Sequence, residues 1–297
     1  MDFCINMKRL LKITILISLV AIFICGCIIS LIYPAAPIYA VSSTNTPASV
    51  VVGQKSMVCN GSVNQGDITH AVTSPYGVFL ANGKVIVSDA GNNRIQIYNQ
   101  IPTTNFAKSD VLIGKSDYCT SSANFGGISA NSIYTPTNNY YDGQHLFVAD
   151  VDNNRVLIFN SLPTSNNAPA DVVIGQPSFT SNTANNGGIS AQSLNKPFSV
   201  YSDGTKVFVA DMSNHRVLIY NTIPTSNFAA ADVVLGQPNF TSNTANNGGR
   251  SASSLSSPYV VAVKDDHLFI ADMGNHRVLI MNSVPTVNQT PANVVIG

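Results

Sequence analysis

The feature that most constrains this chain is a period of 61 residues. Gly53, Gly114, Gly175, Gly236 and Gly297 fall at that step, as do Pro75, Pro136, Pro197 and Pro258. So do Asp89, Asp150, Asp211 and Asp272, then Arg94, Arg155, Arg216 and Arg277, and finally Pro102, Pro163, Pro224 and Pro285. The third and fourth units are near-copies over 175–188 and 236–249. Five independent markers in one register define a tandem array with units at about 54–114, 115–175, 176–236 and 237–297. Units of this kind bury their apolar faces against their neighbours and are not stable alone.

Each unit reads as β throughout. In the third, the Val/Ile run 171–175 is followed by a polar Ser/Thr/Asn/Gly stretch, 176–196. Next come 197–201, the turn signal Asp203-Gly204, the segment 206–211, a turn at 212–214 and the segment 216–220. That gives four short strands with hairpin chemistry between them, and no unit holds a charged stretch of helical period and length. Runs such as Val217-Leu218-Ile219-Tyr220 are apolar without alternation, as in strands covered on both faces. Four-stranded units in tandem predict an all-β β-propeller of antiparallel blades, 49–297. The rival, a parallel β-helix, repeats at a much shorter period and has no need of hairpin turns.

The segments Val209-Ala210-Asp211-Met212-Ser213-Asn214-His215-Arg216-Val217-Leu218-Ile219-Tyr220 and Ile270-Ala271-Asp272-Met273-Gly274-Asn275-His276-Arg277-Val278-Leu279-Ile280 resemble the NHL repeat. The resemblance covers 53–297. Units one and two depart from it, with Asn93 and Asn154 where His215 and His276 stand later. The second unit opens on Pro136-Thr-Asn-Asn, which predicts an irregular first strand. The resemblance implies a propeller fold. It leaves the function open, since such propellers include binding scaffolds, sensor domains and some enzymes.

The segment 49–53 is a fifth copy of the short run that recurs at 110, 171, 232 and 293. Four closed blades would need only four. The expectation is therefore the front part of a longer protein, truncated at the C-terminal side, whose ring has more blades.

The first 40 residues read as a signal peptide or membrane anchor, joined by a short linker, 41–48. Lys8, Arg9 and Lys12 precede a run, 13–33, that carries no charge, and the next charged residue is Lys55. Twelve apolar residues, 13–24, suit a signal sequence, and the 21 together could span a bilayer as a hydrophobic helix. Ile24-Cys25-Gly26-Cys27 resembles a lipoprotein box with Cys27 as the lipidated residue. Basic residues stay in the cytoplasm, so the repeats are expected outside it, secreted or tethered, with membrane contact only through this segment. An oxidising compartment would permit a bridge between Cys59 and Cys119, although adjacent repeats can hold such positions too far apart.

Fifteen Lys and Arg balance fifteen Asp and Glu, which argues against nucleic acid as a partner. The Asp–Arg pairs five residues apart, Asp89/Arg94, Asp150/Arg155, Asp211/Arg216 and Asp272/Arg277, recur in every unit and are expected to lock turns and blades. Asp150-Val-Asp152-Asn-Asn154 opens like a calcium loop, but Arg155 replaces the glycine and Ser161 the closing acid. The five histidines sit at positions that a ring would spread apart, so neither a metal nor a cofactor is expected.

In a four-stranded blade, the turn between strands two and three shares a rim with the crossing to the next blade. The Asn-His-Arg turns and the polar loops 54–74, 115–135, 176–196 and 237–257 should share that face. Loops this long without structure of their own are commonly functional. Their hydroxyls and amides suit a protein, peptide or carbohydrate ligand, with Phe125, Phe179 and Phe240 as apolar anchors. The binding candidates are Tyr76, Asn138, Phe198 and Tyr259 on the first strands, with His215 and His276 on the turns. The function expected is a non-catalytic binding scaffold. The alternatives are a secreted lyase or hydrolase using the central channel and a structural surface or adhesion repeat.

Overall fold

A computed structural model describes residues 48–55 and 70–297. The expected signal or anchor segment, 1–40, with Cys4, Cys25 and Cys27, the expected linker up to 47, and Cys59 lie outside the described residues. Among the described residues no helix is long and apolar enough to cross a membrane.

The repeats form four antiparallel four-stranded sheets, one per unit, the blades of a β-propeller. The first blade holds β1 (Pro75–Ala81), β2 (Lys84–Asp89), β3 (Arg94–Tyr98) and β4 (Val111–Ile113). The second holds β5 (Pro136–Tyr141), β6 (Leu146–Asp150), β7 (Arg155–Phe159) and β8 (Val172–Ile174). The third holds β9 (Pro197–Ser202), β10 (Val207–Asp211), β11 (Arg216–Tyr220) and β12 (Val233–Leu235). The fourth holds β13 (Pro258–Lys264), β14 (His267–Asp272), β15 (Arg277–Met281) and β16 (Val294–Ile296). Strand order within each sheet follows the sequence, because every connection is a hairpin or a short crossing.

Blades stack face to face through dry aliphatic layers. Phe147, Val156 and Ile158 of the second blade meet Leu194, Val200 and Val209 of the third. Ile86, Ile95 and Ile97 meet Val148, Leu157 and Phe159 between the first two, and Phe208, Val217 and Ile219 meet Val261, Ile270 and Leu279 between the last two. Both faces of the middle blades are thus covered, which is why their strands carry apolar side chains without alternation.

The repeated glycine has a steric cause. At Gly175 and Gly236 the backbone is left-handed (φ 89° and 88°), and an added Cβ would lie 2.5 Å from Leu194 and 2.6 Å from Leu255. The fourth strand therefore ends where the chain must pass directly over the next loop's core leucine.

The sequence predicted an irregular first strand for the second unit, yet β5 forms with the same register as its counterparts. Polar contacts replace apolar packing there. Thr137 donates to the Phe198 carbonyl (2.7 Å), Asn138 Oδ1 accepts from the Val200 amide (2.9 Å), and the Asn139 amide donates to Ser88 Oγ (2.9 Å). Each of these bonds joins β5 to another blade.

Candidate functional site

The Asp–Arg pairs are buried fasteners. Asp211 and Arg216 close the end of the β10–β11 hairpin around the 3-10 turn Met212–Asn214, with Arg216 Nε 2.8 Å from Asp211 Oδ2 and both side chains fully buried. The same guanidinium donates backwards to the Ser190 and Ser193 carbonyls of its own long loop and forwards to the Phe240 carbonyl of the next. Arg155 repeats this with Ser129, Ser132 and Phe179. Burial pushes the Asp150 and Asp211 carboxyls upward, opposed by the guanidinium and by two further donors to each carboxylate. Removing one member of such a pair strands a buried charge.

The turn position that is His in later units is a second fastener. Asn93, Asn154, His215 and His276 all adopt the left-handed conformation (φ 52–56°) that Asn and His tolerate better than most residues. Asn93 Oδ1 accepts from the Thr135 amide, Asn154 Oδ1 from Lys196 and His215 Nδ1 from Ser257, at 2.8–2.9 Å. An accepting Nδ1 requires a neutral ring, and burial lowers the His215 pKa accordingly. His215 is therefore engaged between blades, whereas His276 lies exposed.

These contacts put the long loops and the strand two–three turns on one rim. Paired amides (Asn124–Asn153, Asn185–Asn214 and Asn246–Asn275) join each described loop to its turn. Phe179 and Phe240 pack against the interfaces between the first two and the middle two blades, while Phe125 is exposed.

At the start of each first strand sits a β-bulge. The pairing skips one residue after the proline in β5, β9 and β13 and two in β1, so Tyr76, Thr137, Phe198 and Tyr259 have no cross-strand partner. A bulge redirects its side chain, and here three blades converge. Phe198 and Tyr259 stack at 4.0 Å, and Tyr76 meets Phe198 edge-on at 5.8 Å while remaining 60% exposed. The register brings Thr137, not Asn138, to this level; Asn138 is committed to the Val200 amide.

The far ends of the same strands hold a site that the sequence reading missed. A cleft of about 480 Å³ is lined by Tyr140, Tyr201, Asp142, Asp203, Asp265 and Lys264, among others. Its carboxylates are partly committed to their own turns: Asp142 accepts from the Gln144 and His145 amides, and Asp203 from Thr205 and Lys206. Tyr140 and Tyr201 lie 4.4 Å apart, and burial raises the Tyr140 phenol. The Tyr-Asp-Gly and Tyr-Ser-Asp-Gly turns at 141–143 and 201–204 were the available signal.

The calcium-like segment is spent otherwise. Asp150 holds Arg155, and Asp152 lies 3.3 Å from Lys196. Among the described residues no group of three His, Cys, Asp or Glu could hold a metal ion. Cys119 is a free, exposed thiol.

No family model matches the chain, and no curated protein does. Among solved structures it is similar to a streptogramin B lyase (12% identity, 70% of this chain and 51% of that one, TM-score 0.39). It is also similar to an auxiliary nutrient binding protein from Bacteroides thetaiotaomicron (12%, 71% and 48%, 0.44) and to the computationally designed Ika4 protein (7%, 80% and 99%, 0.40). The chain spans about half the length of the first two.

Proposed function

We propose that this chain is part of an exported NHL-type β-propeller that binds a peptide or carbohydrate partner at the axial mouth of its long-loop rim, without catalysis. The observation that supports this reading is the aromatic cluster of Tyr76, Phe198 and Tyr259. Three bulges from three blades hold their rings together, and one ring is largely exposed. Aromatic faces of this kind offer contact area at low conformational cost, with a phenol for hydrogen bonding. The surrounding loops add Ser, Thr and Asn groups. The basic residues followed by the uncharged run near the N-terminus support an extracytoplasmic setting.

The test is a glycan and peptide array probed with the intact chain and with a Tyr76→Ala/Tyr259→Ala variant. Deleting a long loop would be a poor test, because residues 237–257 contain the Phe240 carbonyl that holds Arg216 and the core residue Leu255. The double variant is expected to lose about tenfold or more in affinity for whatever the chain captures, a scale set by the cost of truncating aromatic anchors. Capture at unchanged affinity rules out the aromatic mouth.

A further inference from the structure

The cleft at the far ends of the first strands has a chemistry that follows from the repeat. A step of 61 residues carries Phe79 onto Tyr140, Tyr201 and Ala262. The three rings make a ladder of tilted pairs, with Phe79 4.7 Å from Tyr140 and Tyr140 4.4 Å from Tyr201. The fourth place holds only a methyl group, and the Tyr201 phenol donates to the carbonyl of the next residue, Val263 (2.7 Å). The ladder is one ring short at the fourth blade. The cleft of about 480 Å³ is lined by both Tyr201 and Val263, beside the last rung. A space of that size suits a small ligand or one side chain of a larger one.

Charge sets what the occupant must be. The turns after the first strands bring Asp142, Asp203, Asp265 and Asp266 to the cleft, against one cation, Lys264. Asp142 is spent. Its side chain is only 4% exposed, accepts from the Gln144 and His145 amides, and lies 3.2 Å from His145 Nδ1 and 3.3 Å from Ser202 Oγ. Asp203 commits Oδ1 to the Thr205 and Lys206 amides, and among the described residues its Oδ2 has no partner. Asp265 meets only Lys264, 3.2 Å away, in a pair too exposed to hold firmly (77% and 79%). Among the described residues the Asp266 carboxylate makes no hydrogen bond or ion pair.

The lining therefore carries a formal excess of three negative charges beside aromatic rings. A neutral sugar would leave that excess uncompensated, and an anion would add to it. A metal ion is poorly served, since no group of three His, Cys, Asp or Glu among the described residues could hold one. An organic cation answers both the carboxylates and the rings. A guanidinium does so best, because its plane packs on an aromatic ring while its fork pairs with a carboxylate.

We propose that this cleft binds the guanidinium of an arginine side chain carried by a basic peptide, with Tyr201 as its platform and Asp203 and Asp266 as its acceptors. The site lies at the opposite ends of the first strands from the aromatic mouth of Tyr76, Phe198 and Tyr259, and it does not depend on that reading.

The test is calorimetric titration of the full chain with N-acetyl-arginine methylamide and with its citrulline counterpart, which has the same shape and no charge. The arginine compound is expected to bind saturably, at least about fivefold more tightly than the citrulline one, and more weakly as salt is raised. Asp203→Asn/Asp266→Asn keeps the Oδ1 that the turn at 203–206 needs and should lower the affinity about threefold or more. Lys264→Ala should raise it about twofold, a gain that a misfolded variant could not produce. Absence of saturable binding, equal affinity for the two compounds, or binding untouched by the double variant overturns the proposal. Calcium or glucose binding in the arginine compound's place would assign the cleft to a metal ion or a sugar and also overturn it.

Discussion

The third and fourth blades share one repeat pattern and a near-identical opening loop, and they differ sharply in what surrounds them. Val233 and Leu235 of β12 are each 1% exposed, whereas their counterparts Val294 and Ile296 of β16 are 47% and 58% exposed. Both strands nevertheless form with the same pairing to their neighbours. Strand formation is thus a property of the unit, set by its turns and β-branched residues, and burial is a property of the array. Most of the hydrophobic stabilisation of each blade comes from the blade beside it.

Substitutions matched one period apart can break this contrast. The largest effect is expected at the fasteners. Arg216→Ala strands the Asp211 carboxylate and removes bonds to two long loops, so chemical denaturation should show a loss of about 3–5 kcal/mol. Arg277→Ala should cost clearly less, because Arg277 is partly exposed and, among the described residues, donates to Ser251 and Ser254 without a bond like that of Arg216 to the Phe240 carbonyl. Next, Leu235→Ala should cost about 2–5 kcal/mol, as expected when a cavity opens in a closed layer. Ile296→Ala should stay within about 0.5 kcal/mol, the usual range for exposed positions. Equal losses at Leu235 and Ile296 would mean that the end face is covered in solution.

Smaller effects sharpen the comparison between units. Lys115 is buried where later units have Gln176 and Gln237, and it donates to the Ser122 carbonyl much as those glutamines donate to Thr183 and Thr244. Burial lowers its pKa from 10.5 to about 8. The unfolded chain therefore binds more protons between those values, and Lys115 costs stability below about pH 8, a cost relieved as pH rises towards 10.5. Lys115→Gln should raise stability at pH 7 by about 1 kcal/mol, discounted for water at the loop edge, and the gain should shrink in melts above pH 8.

His215→Ala should cost about 1 kcal/mol for the lost acceptor, His215→Asn much less, and His276→Ala nothing measurable. Because the folded pKa of His215 is lowered, the wild-type advantage over His215→Ala should fall as pH drops below 6.5. An advantage that is flat with pH would remove the neutral-acceptor role.

Much of this architecture was legible in the repeat. The period fixed where each unit begins, and the Asp–Arg spacing marked the ends of the hairpins. The 61-residue step carries Tyr76, Phe198 and Tyr259 onto Thr137, so the expectation of Asn138 stood one place off the repeat's own register. Two things were hidden for physical reasons. The polar run at 136–139 looked unsuited to an inner strand because its hydrogen-bond partners Ser88, Phe198 and Val200 lie in other blades. The cleft at the far ends of the first strands is assembled from turns that are distant in sequence, and no single unit contains it.

The blades fold by their own turns and gain cover from their neighbours. Amide exchange of the matched outer strands β12 and β16 in the intact chain tests this most directly, since both make the same ladder and only their surroundings differ. Exchange should be slow at 233–235 and about tenfold or more faster at 294–296, the pattern of locally opening end elements. Equal protection in a monomeric chain would contradict it.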